Sequence, residues 1–283
     1  FSTAARISFG LWDSIPDRQL VEAAAAGRLA TPDDVRREAT RMVADRRTRA
    51  KLRDFLLAWL RIDLGPVLVK DHDRHPGFSP EVAADMRTSL ELMLDEVACR
   101  DGDFRRLFTA EEVHLNGRLA RLYGVDLPPD APFTPVRLDD GRRAGVITHP
   151  YMMTALSYPA ASSPIHRGVF LARSVLGNVL RPPPEAVAPL AADEAPDLTT
   201  RERVATQTAP VACQSCHTMI NPLGFALEEF DAVGRHRVTE TAGGVEKPVN
   251  ASGSYRPRSG AEVSFRGGRE LGVACAASRD AQE

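Results

Sequence analysis

Cys213-Gln214-Ser215-Cys216-His217 constrains this chain more than any other feature of its sequence. The spacing is that of covalent haem attachment. Two thiols add to the two vinyl groups on one edge of a porphyrin, and the adjacent histidine supplies an axial imidazole to iron. A bare Cys-x-x-Cys is ambiguous between zinc and thiol redox chemistry, and the immediate histidine favours haem. Zinc needs two further ligands, but Cys99 and Cys275 are single and flanked by helical sequence. A thioredoxin-type reading wants a strand-then-helix context and no attached histidine. Four cysteines in 283 residues are too few for a disulfide scaffold. A Cys99–Cys275 disulfide is allowed in an exported protein but has no support in the sequence, and zinc or a local disulfide at 213 and 216 stay open as alternatives.

The residues after the motif, Thr218 to Arg237, combine a tight turn at Asn221–Leu223 with a short amphipathic helix. A haem-ligating histidine commonly gives its other ring N–H to a backbone carbonyl, and the Pro222 carbonyl is the expected acceptor for His217. Leu223, Phe225, Leu227 and Phe230 are candidates to wall a porphyrin, and they read equally well as core. Arg167, Arg235 and Arg237 are candidates to pair with haem propionates, since arginine suits bidentate carboxylate contact. Asp231 competes for Arg235.

One motif implies one haem, and the group on its other face decides the function. A methionine or second histidine there favours electron transfer; an open or weakly filled position favours peroxide or oxygen chemistry. No methionine follows Met219, which is too close to His217 to reach round a ring. The ranking for the distal ligand is His149, then Met153 or Met152, then His166. His236 lies between two arginines and reads as solvated.

Composition narrows the classes further. Hydrophobic residues at 43% and charged residues at 26% exclude wholesale disorder. A net charge of −2 argues for neither nucleic acid nor an anionic membrane, and 6% aromatics is lean for a base- or sugar-stacking surface. The 33 arginines against 3 lysines read first as the coding bias of a GC-rich genome. The stretch Ala144 to His166 has no acid, lysine or arginine but carries Pro150, Pro159 and Pro164, so no membrane span is expected. Neither an initiator Met nor a signal peptide opens the chain, which reads as a mature or trimmed fragment.

Periodicity predicts a mainly α protein: a helical domain over 1–125, a connector over 126–143, and a further helical region with irregular loops over 144–240. Thr31-Pro32-Asp33-Asp34 opens a helix with Val35, Ala39, Met42 and Val43 on its apolar face. Phe55, Leu56, Trp59 and Leu60 mark another face, and Val82, Met86, Leu90, Met93, Leu94 and Val97 a third. Residues 63–78 are expected to be a loop, with Asp71, His72, Asp73 and His75 solvated in it. A short helix is expected near Glu112–Tyr123, and others over about 165–179, 199–207 and from Glu270. The Arg41–Arg49 run reads as a charged helix face, residues 181–200 as extended and mobile, and 238–268 as loops with a hairpin. Walker, dinucleotide and nucleophile-elbow motifs are absent.

With these residues in hand the chain resembles the planctomycete-type cytochrome c-like family, exported multidomain proteins built from consecutive domains of unknown function. The resemblance is carried by the haem motif followed by Asn221-Pro-Leu-Gly-Phe-Ala-Leu-Glu-Glu-Phe-Asp231 and Gly234-Arg-His-Arg237. Leu11–Asp17, Ala26–Leu29, Leu107–Ala110 and Asn116–Gly124 are similar to the family's helical domain. Gly145–His149, Ser163–Gly168, Leu176-Gly177 and Pro182–Pro184 are similar to the start of its haem-motif domain, and Ala251–Gly253 to Phe265 with Gly268–Leu271 to its short C-terminal domain. On that likeness 144–240 is a cytochrome c-like domain and 241–283 the start of a short C-terminal domain, so the chain begins inside the first domain and stops inside the last. The resemblance implies export and a covalent haem c, and it supplies no reaction. The leading expectation is a periplasmic or otherwise extracytoplasmic monohaem electron-transfer protein. Its haem hangs on Cys213 and Cys216, with His217 as iron ligand. Its partners are a redox protein or a small-molecule donor or acceptor, and other domains of the same longer protein. The alternatives are a peroxidase- or oxygenase-like haem enzyme with an open distal site, and a zinc-binding or haem-free helical interaction module.

Overall fold

The structure, a computed structural model, describes residues 1–62, 68–138, 141–180, 195–258 and 260–282. The Pro182–Pro184 run, Gly65-Pro66 and most of the stretch expected to be extended lie outside the described residues. Two units divide the chain: Phe1–Leu64 with Leu94–Gly102, and Gly65–Met93 with Asp103–Glu283.

In the first unit the caps are those the sequence signals. Helices α1 (Ser2–Trp12), α2 (Arg18–Ala25), α3 (Pro32–Val43) and α4 (Arg46–Trp59) follow one another. Thr31 and Asp34 form a reciprocal capping box at the head of α3, with Pro32 in its first turn. Asp17 and Asp45 cap α2 and α4. Ala4, Trp12, Leu20 and Met42 form a buried cluster. The Trp12 indole N–H donates to the Met42 carbonyl at 3.0 Å, and the Arg47 guanidinium lies over the ring, 3.4 Å from its centre. Arg41 reaches Asp17 through two hydrogen bonds of 2.8 and 3.2 Å. The basic run expected to be only a charged face therefore also covers a core tryptophan. Phe55, expected inside, is 62% exposed, because the buried stripe of α4 runs one position later, through Leu56 and Leu57.

The expectation of a mainly α fold is corrected by three two-stranded antiparallel sheets, which make the fold mixed α/β. Strand β1 (Glu112–Leu115) pairs with β2 (Thr134–Arg137), setting Val113 opposite Val136. Strands β3 (Thr239–Ala242) and β4 (Val245–Pro248) form a second hairpin, β5 (Ser252–Tyr255) and β6 (Val263–Arg266) a third. Each strand has four residues, too few for alternation to stand out from the helical period. Glu112–Leu115, expected to open a helix, alternates between exposed and buried positions, and its partner lies inside the expected connector. The helix there, α7 (Gly117–Tyr123), starts only after the Asn116 side chain accepts from Leu119 N–H at 2.9 Å.

Helix α5 (Pro80–Glu96) buries its expected stripe and continues into a π-helical turn, Val97–Asp101. Beyond α6 (Arg106–Thr109) come α8 (Gly145–Thr148), α9 (Pro150–Ala155), α10 (Pro164–Phe170) with a π-helical turn Leu171–Val175, α11 (Thr200–Gln207), α12 (Val211–Phe225), α13 (Gly267–Ala277) and α14 (Arg279–Gln282). Among the described residues no helix is long and apolar enough to cross a membrane.

The contact that positions the motif is the crossing of α10 and α12. A Cβ on Gly168 would stand 2.1 Å from the Ile220 carbonyl oxygen, and one on Gly224 would stand 1.9 Å from that of Pro164. Two backbones therefore meet with no side chain between them, and the pairing of 164 with 224 and 168 with 220 makes the helices antiparallel. Gly168→Ala and Gly224→Ala are each expected to lower unfolding free energy by ~2–4 kcal/mol in chemical denaturation, because overpacking against backbone has no soft partner. Gly10→Ala in α1, where nothing lies within 4 Å, is expected to raise it by ~0.5–1 kcal/mol. Equal effects at the three positions would contradict the crossing.

Candidate functional site

Helix α12 begins just after Pro210, so the whole motif lies in its first two turns. Cys213, Cys216 and His217 stand at i, i+3 and i+4 and share one helical face. Both thiols are free and half-buried, whereas Ser215 and Thr218 are exposed. The tight turn expected at Asn221–Leu223 is corrected, since α12 continues unbroken through Pro222. Proline lacks the N–H that would bond the Thr218 carbonyl. Thr218 is exposed, so that carbonyl is left on the solvent side, where the loss is tolerated.

The continued helix gives His217 a partner that sequence reasoning missed. Nδ1 of His217 lies 2.9 Å from Oδ1 of Asn221. The Asn221 amide Nδ2 donates to Thr208 Oγ1 at 2.8 Å, and Thr208 Oγ1 donates to the Val204 carbonyl at 2.7 Å. Gln214 Nε2 donates to the Thr208 carbonyl at 2.5 Å. Asn221 and Thr208 are 8% and 3% exposed. The chain of donors fixes the tautomer by elimination. The Asn221 N–H group is committed to Thr208, so its oxygen faces the ring, and Nδ1 must carry the imidazole proton. Nε2 is then the lone-pair nitrogen, and it makes no hydrogen bond to a described residue. The Pro222 carbonyl, expected in this role, instead abuts Gly253, whose Cβ would stand 2.1 Å away. The only signal in the sequence for Asn221 was its i+4 spacing from His217, which counts only if the helix passes through Pro222.

Leu223, Phe225, Leu227 and Phe230 are core residues, between 0 and 6% exposed. Arg201 lies over Phe225 and Arg143 over Phe230, 4.4 and 4.5 Å from the ring centres. Arg167 is not a surface partner for propionates: it is wholly buried. Its guanidinium donates to the carbonyls of Leu227, Phe230 and Asp231 at 2.7 to 2.8 Å, and to Glu228 Oε1 at 3.2 Å. Burial pulls its pKa down to about 10, against the opposing pull of the Glu228 carboxylate. Arg235 is held by Asp231 at 2.8 Å and Arg237 by Glu228 at 3.0 Å, so the sequence's local alternative for Arg235 is the observed one. The structure thus turns all three arginines to intramolecular work.

The distal candidates fare similarly. His149 is fully buried at the head of α9; its Nδ1 accepts from Tyr151 N–H at 3.2 Å and its Nε2 meets Ser89 Oγ at 3.3 Å. Both ring nitrogens, expected to be available to iron, are spent inside the fold. Met152 and Met153 are 1% and 0% exposed in the same core. His166 stands two residues from both Pro164 and Gly168, on the side of α10 away from α12, against Tyr158 at 5.1 Å between ring centres. His236, read as solvated, is half-buried beside Phe230 with Glu229 at 3.9 Å. His75, expected in a solvated loop, is 7% exposed. Among the described residues no cluster of three or more metal-ligating side chains is present, and all four cysteines are free.

Burial, with Arg143 and His114 nearby, pushes the His149 pKa down to about 3 from 6.5. The unfolded chain binds at pH 6 a proton that the folded chain refuses, so stability from this group is full above pH 6.5 and is lost as pH falls toward 3. Denaturation midpoints are expected to drop across that window by the equivalent of a few kcal/mol. His149→Gln is expected to be less stable at pH 8 and to flatten the slope; an unchanged slope would point to other groups.

Residues 1–125 match the family model described as PSD4, protein of unknown function (DUF1592), and residues 143–240 match that described as PSCyt3, protein of unknown function (DUF1588). No curated protein and no solved structure matches. The two matches make this chain similar, in succession, to two planctomycete cytochrome c-associated domain families, both of unknown function.

Proposed function

We propose that this chain holds one haem c on α12 and exchanges single electrons with a redox partner protein or a small-molecule donor or acceptor, outside the cytoplasm. One observation carries the reading: the lone-pair Nε2 of His217 and two free thiols share a helical face, with the imidazole oriented by Asn221 and Thr208. The names of the matched families point the same way. When bound, haem supplies an iron that cycles between ferrous and ferric by one electron.

The chain's own residues divide the work. Cys213 and Cys216 would hold the group: each S–H would add across one vinyl C=C, forming a C–S bond and leaving the thiol hydrogen on the neighbouring vinyl carbon. Nothing is oxidised in this addition, so no co-reactant is needed. His217 Nε2 would be the iron ligand, and the Asn221 side-chain oxygen accepts the hydrogen bond from Nδ1–H, which fixes the angle of the ring. Thr208 keeps the Asn221 amide from flipping. Leu223, Phe225, Leu227 and Phe230 support α12 from the core side.

Expression of the chain with a haem c maturation system is expected to yield a c-type pyridine haemochrome, with reversible one-electron reduction. Cys216→Ala is expected to leave at most one thioether and to shift the haemochrome band; the Cys213→Ala/Cys216→Ala pair is expected to abolish covalent haem. Asn221→Leu is expected to lower haem retention while leaving the thioethers intact. Purified protein carrying zinc in place of haem, measured by elemental mass spectrometry, would sink the proposal.

A further inference from the structure

A groove of about 540 Å³ lies between α11, α12 and the β5–β6 hairpin, lined by Arg201, Pro222, Ser254, Ser264, Phe265 and Arg266 among others. We propose that it is a binding site for a small organic monocarboxylate with an apolar body, anchored on Arg201. The site does not depend on the haem reading. Pro222 stands nine residues after Cys213, about two and a half turns on, so the groove faces the opposite side of α12 from that thiol.

Arg201 sits in the first turn of α11, inside the Thr199–Glu202 capping box, and is half-buried. Its Nη1 is committed on both hydrogens, donating to the Asn250 carbonyl at 2.8 Å and to the Ser252 carbonyl at 2.7 Å. The guanidinium also lies over the Phe225 ring, 4.4 Å from its centre. These contacts hold the group in place and leave Nε–H and the Nη2 hydrogens without a partner among the described residues. That free edge is the side-on fork of the guanidinium, two parallel donors spaced for the two oxygens of one carboxylate. Burial pulls the Arg201 pKa below its ordinary value, and no carboxylate pulls it back. The buried Arg167, by contrast, has Glu228 against it. A cation that gives up solvation with no counter-ion carries an uncompensated penalty, which an anion in the groove offsets.

The hairpin brings a second cation to the same place. Its register sets Arg266 opposite Ser252, the residue whose carbonyl holds Arg201. The Arg266 side chain is exposed and makes no hydrogen bond or ion pair with a described residue. One acid, Glu270, also lines the groove, and its Oε2 accepts from the Arg266 backbone N–H at 2.7 Å. Two guanidiniums against one carboxylate leave the lining at +1, which a monocarboxylate neutralises and a phosphate dianion exceeds. The walls are firm, because a Cβ on Gly253 would stand 2.1 Å from the Pro222 carbonyl oxygen, so the hairpin rests directly on α12. Pro222 and Phe265 give the groove apolar surface beside the cations. Its volume is far more than a bare ion fills and lies within the ~300–1,000 Å³ usual for small-molecule sites.

The test is titration of the purified full chain with sodium benzoate at constant ionic strength, followed by the arginine Nε–Hε signals in NMR spectra. The Arg201 and Arg266 signals are expected to shift and saturate, with a dissociation constant on the order of 1 mM. Acetate, which lacks the body, and inorganic phosphate are each expected to bind about tenfold more weakly. Arg201→Lys keeps the charge and loses the fork, and is expected to weaken benzoate about tenfold. Arg266→Gln, at an exposed position that leaves the fold intact, is expected to weaken it about two- to fivefold. It carries the test alone if the spectra show that Arg201→Lys has lost its fold. Arg36→Gln on α3 is expected to change nothing. Shifts that rise linearly without saturating, phosphate binding more tightly than benzoate, or wild-type affinity in Arg266→Gln overturn the site. The result reads the same with or without attached haem, so failure of the haem reading and failure of this site are separate outcomes.

Discussion

The arrangement of the second unit depends on one buried cation. Arg167 arrives on α10 with no solvent contact and satisfies its guanidinium almost wholly with backbone carbonyls, those of Leu227, Phe230 and Asp231 after α12 and of Met153 on α9. A buried charge costs several kcal/mol unless it is paired and its donors are used. Here the charge is paired, because Glu228, itself 1% exposed, stands at 3.2 Å and is shared with Arg237, and the two terminal nitrogens of the guanidinium are used while its buried Nε is not. The geometry is demanding, and it forces the chain after α12 to fold back over α10. The stretch Glu228 to Arg237, read from sequence as the accompaniment of a haem motif, is in large part the clamp around this cation.

That clamp and the Gly168–Gly224 crossing act together. The crossing lets two backbones touch, and Arg167, next to Gly168, bonds the chain that leaves α12. Helix α12 is thereby fixed at its Phe225 end, while its Val211 end presents the thiols and His217. The imidazole is oriented by Asn221, on α12 itself, and Asn221 is held by Thr208, the residue that follows α11. The site is thus built on a helix held along two sides, which is how a ring nitrogen is kept in one orientation without a ligand to hold it.

Much of this was legible locally. The caps at Thr31 and Ser163 were readable because a cap is decided within four residues. The stripe of α5 follows from periodicity over enough turns to be unmistakable. The strands were not, since β1 needs a partner that begins 22 positions later and four residues of alternation carry little information. Phe55 was misplaced because a one-position shift of stripe turns a helix by only about 100°. His149, His75 and Arg167 have polar side chains that sequence alone assigns to ligands or solvent. For His149 and Arg167 the partners that hold them inside, Ser89 and Glu228, are about 60 positions away.

By itself the sequence determined the chemistry that the motif can perform: two thiols and an imidazole at i, i+3 and i+4 share a face on any helix, whatever surrounds it. Only the tertiary structure decided which groups answer to His217 and which do not. It made Asn221 the acceptor by carrying α12 through Pro222, and it drew Arg167, His149 and the methionines into the core. Hydrogen bonds within a helix are set by spacing along the chain, whereas burial of a polar group is set by partners that only folding brings near.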